Sequence, residues 1–400
     1  MADAFEEPRT DPVSGAPTLT NRDRSQILSW VGRREDFDAI HAIAAGIDEA
    51  AWPTFPSSWR AVVEPAHGRY RLAAEEPYPV SDYVLPELGT AATPPSRLTP
   101  PRSDELPHVR FHRPQEDPIE VIFDFRFETE LIEILTSLSA IATVHPNVSY
   151  RDEFNARPRS DRTLVTIKDS DAQFALVETL IAQSLKLHAQ IVVAPELSAT
   201  REIIDAAQTW VDDAPHPVLL VPGSLYEGSF GGAENRAYGF VRDRQERLEH
   251  SKVEPLSQAF GTHRVSREGI TGDRRLSVYA ADLWRVVILL CKDVLPREGV
   301  YEAVVRIGAN VVIVPSMSPK TDSYPARVAS LAVDNRAFVA VANGPLRWRD
   351  LAYPMAVFGQ PLEARQLVTA SADGRPADAR GVILLAAGQT KAAWHRLREG

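Results

Sequence analysis

A single cysteine, Cys291, stands in a chain of 400 residues, so no disulfide can form within it. Stability must come from buried apolar surface and hydrogen bonding instead. Positive charge is also in short supply: 44 Lys and Arg face 54 Asp and Glu, for a formal charge of -10. A protein built to grip phosphate backbones carries a basic stripe, so nucleic acid is not an expected partner. Long hydrophobic runs are missing: the longest, residues 286–291, follows Trp284-Arg285 and is far short of the ~20 residues that cross a bilayer. The opening MADAFEEPRTDPVSG has neither a basic nor an apolar leader region. A soluble, cytoplasmic protein without membrane contact is the expectation. Neither a P-loop nor G-x-G-x-x-G occurs, so no nucleotide cofactor is expected. G-x-S-x-G is absent too, and Ser224 in PGSLY reads as structural rather than as part of a serine triad. His108 and His112 are four apart but lie between Pro107 and Pro114 without the glutamate of a zinc helix, so no metal is expected.

What is present is ordinary globular material, 44% apolar and 24% charged residues, enough for a sizeable core. The length suggests one large domain with an extension. Residues 1–76 read as a polar tail followed by a helical segment, patterned on Ile27, Trp30, Val31, Phe37, Ile40, Ile43 and Ile47. Prolines then recur at 79, 86, 94, 95, 100, 101, 107 and 114, making 77–118 an extended connector. Residues 119–160 read as a helical lead-in, with apolar positions from Phe127 to Ile141.

From 161 to 390 the texture changes to short β-rich runs alternating with amphipathic helices, the pattern of a layered α/β domain. Residues 391–400 read as a tail. Strands are expected at 164–168, 191–194, 218–221, 236–241, 276–280, 286–290, 311–314, 338–342 and 382–385. Helices are expected after Ser170, whose spacing to Gln173 suits a capping box, then through Ile203 to Val211, near 298–307 and near 325–336.

Three polar residues sit where apolar strands stop: Glu196 in IVVAPEL, Lys252 in LEHSKVEPL and Cys291 in VVILLCKD. Functional side chains converge at such strand ends in α/β folds. The residue types are chemically apt, because a free thiol with pKa near ~8.5 is only a few percent thiolate at neutral pH. A carboxylate base and a nearby ammonium would make it a competent nucleophile.

Together these segments resemble the nitrilase-like carbon-nitrogen hydrolase superfamily. The resemblance extends through VPGSLYE, ENRAYGFV, GANVVIVPS and RVASLAVDNRAFVAVANGP, covering roughly 162–390. It implies a four-layer α-β-β-α sandwich, here preceded by a helical and Pro-rich N-terminal extension. It implies catalysis by Glu196, Lys252 and Cys291 on non-peptide C-N bonds, with no cofactor. A second glutamate is implied between lysine and cysteine: Glu268 in REGITGD fits, and Glu254, two residues after Lys252, competes. The backbone N–H of Lys292 is implied as an oxyanion donor; Ser316, in the Ser316-Met317-Ser318-Pro319 loop that follows a strand, reads from its position as a pocket residue. Lys292-Asp293 stands where nitrilases tend to carry Trp-Glu, which favours a small amide or carbamoyl substrate over a nitrile. Acyl transfer to an amine, nitrile hydrolysis by the same residues, and a non-catalytic scaffold are the alternatives. The resemblance also implies a homodimer or larger homo-oligomer.

Overall fold

The computed structural model describes residues 119–397 apart from 137, 139, 230–231, 260–264, 282–283, 297–298, 320–321, 336, 349–350, 353–355, 361–367, 371–379 and 387–391. It also describes three short strands before them, Arg9–Thr10, Pro17–Thr18 and Arg69–Arg71. The expected helical segment around 27–47 and the whole connector at 77–118, with His108 and His112 in it, lie outside the described residues.

Two large sheets dominate a mixed α/β fold. A five-stranded sheet runs in the order Ala393–Arg396, Gly381–Ala386, Ala140–His145, Ile191–Val193, Leu219–Val221, with its last three strands parallel. An eight-stranded sheet runs Val368–Ala370, Ala356–Gly359, Phe338–Asn343, Val311–Ser316, Trp284–Ile288, Arg275–Ala281, Glu120–Asp124, Arg69–Arg71. The strands at 284–288, 311–316 and 338–343 are parallel neighbours. Their sequences are almost unbroken apolar runs, and every residue of the three is buried, as expected for strands covered on both faces.

Alternation along each strand sends successive side chains to opposite faces, and three apolar clusters follow from it. Ile191, Val193, Leu219 and Val221 of the smaller sheet meet Ile288, Ile313, Ala340 and Phe358 of the larger one in a cluster between the sheets. Val192 and Leu220 point the other way, onto the helices Ser170–Lys186 and Arg201–Asp212 through Val177, Ile181, Ile203 and Ile204. Val287, Val312 and Val314 likewise pack on the helices Val300–Arg306 and Ser323–Asp334 through Val304, Val328 and Leu331. Fully burying such a side chain is worth ~1.5–3 kcal/mol, so both sheets are anchored on both faces.

The strands and helices expected between 161 and 390 are present, beside unexpected strands such as Val265–Glu268 and Ala356–Gly359, and three differences from the sequence pattern along the chain are of physical interest. Asp169, not Ser170, caps the first helix, its carboxylate accepting from Ala172 N at 3.0 Å. The lead-in helix covers only Glu128–Thr136, and Ile141 belongs to a strand. That strand, Ala140–His145, is buried at every residue and lies between two partners distant in sequence. Strands ahead of residue 161, Arg69–Arg71, Glu120–Asp124 and Ala140–His145, thus belong to the main sheets, and Ala393–Arg396 adds an edge strand where a tail was expected. Among the described residues no helix is long and apolar enough to cross a membrane.

Candidate active site

The smaller sheet delivers Glu196. Beyond Val193 the chain stays in register for one residue, Ala194 N donating to Val221 O at 2.8 Å, and then turns at Pro195-Glu196. Leu197 adopts a left-handed backbone (φ 58) and its N–H is held by Ser224 Oγ at 3.0 Å. Ser224 thus serves the loop. Gly223 (φ +100) passes so close to this turn that an added Cβ would collide with Ser198 Oγ and Pro195 O. A glycine is required there on both counts.

Lys252 follows the antiparallel pair Glu234–Gly239 and Leu248–Ser251, its N–H donating to Asn235 O at 2.8 Å. Glu268 ends the strand Val265–Glu268 of a separate four-stranded sheet, which pairs with Arg162–Ile167. Cys291 lies beyond Trp284–Ile288 and opens the one-turn 3-10 helix Cys291–Val294 with φ 49. A non-glycine residue in that region is uncommon and costs of order 1–3 kcal/mol.

These four residues converge. Glu196, Lys252, Glu268 and Cys291 are each no more than 3% exposed. Lys252 Nζ donates to Glu196 Oε1 and to Glu268 Oε2, both at 2.6 Å. Asn235 Nδ2 bridges the same two carboxylates, 2.8 Å from Glu196 Oε1 and 3.0 Å from Glu268 Oε1. Glu268 also accepts from Tyr226 OH and from Leu256 N, both at 3.0 Å. Each of its oxygens therefore takes two hydrogen bonds, which occupies the roughly four acceptor sites of a carboxylate. Glu196 differs: Oε1 is used by Lys252 and Asn235, Oε2 accepts from Met317 N at 3.0 Å, and the Cys291 thiol is a further hydrogen-bonding neighbour of this carboxylate.

The electrostatics separate the two acids. Burial, and then the charge of Glu268, push Glu196 above the usual carboxylate range against the opposing pull of Lys252. Burial acts on Glu268 as well, but the Lys252 charge and the bonds from Lys252, Leu256 and Asn235 outweigh it and hold it below that range. Both carboxylates keep the Lys252 ammonium well above its ordinary value despite its burial. Burial and the Glu196 charge push the Cys291 thiol up to about 12. The resting sulfur is therefore a neutral thiol beside a carboxylate that can accept its proton.

Other expected residues fall as follows. Ser316 ends its strand with Oγ 2.7 Å from Tyr324 OH, and its carbonyl accepts from Glu196 N at 3.3 Å. The Lys292 side chain turns away, Nζ donating to Pro255 O at 3.2 Å and lying 4.0 Å from Glu254. Glu254 is 38% exposed at its side chain and does not reach Lys252, whereas Glu268 does. Among the described residues no group of three or more His, Cys, Asp or Glu is arranged to hold a metal ion.

Sequence reasoning missed Asn235, Tyr226, Tyr324 and Asp293. Asn235 stands in ENRAYGFV, but nothing in the segment marks it apart from a strand residue. Asp293 has a local signal, two residues after the cysteine. It is fully buried, accepting at Oδ1 from Val253 N (3.1 Å) and Glu254 N (2.8 Å), and at Oδ2 from His250 Nε2 (2.9 Å) and Leu290 N (3.3 Å). One carboxylate thus ties the cysteine turn to the backbone just past Lys252. Asp293→Ala strips these buried donors of their acceptor, and a stability loss on the order of 3–5 kcal/mol is expected in urea unfolding.

No family model matches the sequence, and no curated protein matches it. Among solved structures the chain is similar to an amidase from Nesterenkonia sp., at 19% identity over 62% of this chain and 89% of that one, with a TM-score of 0.43. A variant of the amidase from Nesterenkonia sp. AN1, described as showing covalent addition of the acetamide moiety of fluoroacetamide at its active site cysteine, matches at 20% identity over 62% and 90%, TM-score 0.43. Another variant of that amidase, described as belonging to the nitrilase superfamily, matches at 20% identity over 62% and 90%, TM-score 0.43.

Proposed function

We propose that this chain is a cysteine-dependent hydrolase of non-peptide C-N bonds, of the nitrilase-like superfamily, acting on a small amide or carbamoyl compound through a thioester. The observation that carries the reading is the unequal pair of carboxylates around Lys252. Glu268 has its acceptor sites filled and stays ionised, whereas Glu196 has the Cys291 thiol as a further hydrogen-bonding neighbour. Pairs of acids pushed apart by their surroundings are the mark of acid–base sites.

In this mechanism Cys291 Sγ attacks the carbonyl carbon as its proton passes to Glu196. The tetrahedral oxyanion is stabilised by Lys252 and the Lys292 backbone N–H. Collapse breaks the C-N bond, and the amine leaves with the proton from Glu196. Water, deprotonated by the same carboxylate, then attacks the thioester, releasing the acid and restoring the thiol. Glu268 and Asn235 hold Lys252 and Glu196 in place. The layering of helices outside two facing sheets supports an α-β-β-α sandwich, with a catalytic domain from about Glu120 to the C-terminal edge strand. A cytoplasmic homodimer completes the proposal.

The test is rapid-quench intact-mass analysis with a panel of amides and carbamoyl compounds. Wild type should show a transient acyl adduct on Cys291. Glu196→Gln should show none, having lost the base for both half-reactions, while Glu268→Gln should still form a trappable adduct at a reduced rate. Equal adduct formation in the two variants would remove Glu196 as the base, and no wild-type adduct on any compound would remove the hydrolase reading.

A further inference from the structure

We infer that Tyr324 is a further catalytic residue, a hydroxyl donor to the Cys291 sulfur that is oriented by Ser316. The inference rests on the reading of Cys291 as nucleophile and adds a group to it. Tyr324 sits in the first turn of the helix Ser323–Asp334 and is fully buried. Its OH donates to Cys291 Sγ at 3.4 Å, within reach for a sulfur acceptor. The same oxygen lies 2.7 Å from Ser316 Oγ, and Ser316 has no exposed surface.

The direction of the relay follows from counting hydrogens. A tyrosine hydroxyl has one proton to give and lone pairs to accept with. When charge develops on sulfur, the arrangement that places Tyr324 O–H on Sγ and Ser316 O–H on Tyr324 satisfies all three atoms. Burial, and next the charge of a Cys291 thiolate, hold the phenol well above its ordinary value, so it keeps its proton and acts only as a donor. In the thioester the sulfur is a poor acceptor, and the Tyr324 proton can turn to Ser316. The bond is thus stronger when sulfur is anionic, as it attacks and again as it leaves, than in the resting thiol or the thioester. Interactions with that difference accelerate the chemical step.

Glu196 and Lys252 are the charged groups that face the sulfur. Glu196 takes the proton, Lys252 supplies positive charge, and Tyr324 supplies a neutral donor from the helix side. No electron transfer or additional reactant enters, and Tyr324 ends each half-reaction as it began.

Tyr324→Phe keeps the ring and removes only the hydroxyl. The probe is alkylation of Cys291 by iodoacetamide, in which the S–C bond forms as iodide leaves, followed by intact mass against pH. As Cys291 is the sole cysteine, a Cys291→Ala blank isolates the signal. Tyr324→Phe should alkylate about tenfold more slowly near neutrality, with its profile displaced to higher pH, and should lose kcat with little change in KM. Ser316→Ala should move the same way by less. A Phe variant whose alkylation rate and pH profile superimpose on wild type overturns the role of Tyr324 while leaving the hydrolase reading intact. A uniform loss of rate without a pH displacement overturns it as well, since that is what a merely structural role would produce. A wild-type Cys291 that resists both iodoacetamide and every amide removes the nucleophile, and this inference with it.

Discussion

Cys291→Ala is expected to abolish turnover, by a factor on the order of 10⁴ or more, while the protein remains folded. The size follows from the loss of the covalent route: without sulfur no thioester forms, and groups that act as one unit lose nearly all their effect when one is removed. The fold should tolerate the change. The side chain is 1% exposed, and alanine removes a single heavy atom, for a cost of about 1 kcal/mol by analogy with other small deletions in cores. Tyr324 OH keeps its bond to Ser316 Oγ. Steady-state assay on any substrate that wild type turns over, together with a thermal melt, checks both halves. Activity near wild type in a folded variant would sink the assignment.

Lys252→Ala is expected to do more than lower activity. In transition-state terms, losing an oxyanion donor costs ~2.7–4 kcal/mol, so kcat should fall by a factor on the order of 10² to 10³. The geometry adds a second consequence. Glu196 and Glu268 share the one ammonium and are bridged by Asn235 in a site with almost no solvent. Removing the cation leaves two buried carboxylates facing each other, and breaking a buried pair in this way typically destabilises by ~3–5 kcal/mol. One carboxylate must then take up a proton, and Glu196, already raised, is the one that gives way. Glu196 takes up the proton that the lost ammonium no longer carries, so the folded variant should keep the net charge of wild type near neutrality although it has lost a cation, as the electrophoretic mobility of the two folded proteins can measure. An effect confined to KM, with unchanged stability, would contradict this account.

A practical consequence concerns pH. Glu268 lies below the ordinary range when folded, so the stability it contributes is fully present above its unfolded value and is lost as pH falls through the folded one. Glu196, raised on folding, works in the opposite sense, contributing stability at low pH that fades as pH rises through its folded value. The coupling of both through Lys252 makes the site one titrating unit rather than two.

Much of this molecule was legible in its sequence. The alternation of apolar runs and helical faces reports local backbone geometry, because burial on one face imposes a period of 2 or 3.6 on the chain itself. The strand ends carrying Glu196 and Cys291 follow from the same pattern, since each stands where an apolar run gives way to polar residues. Other features depend on partners far away in the chain. Ala140–His145, AIATVH, is buried at every residue and has no diagnostic period, and only its neighbours at 191–193 and 381–386 make it a strand. Lys252 ignores Glu254, two residues on, whose backbone is drawn to Asp293, and pairs instead with Glu268 from another sheet. Asn235, Tyr226 and Tyr324 gained their roles in the same way, from elements brought together by packing. Sequence spacing sets which residues share a face of one element. Which faces meet is decided by the burial of whole sheets and helices, and the site exists only where those surfaces close.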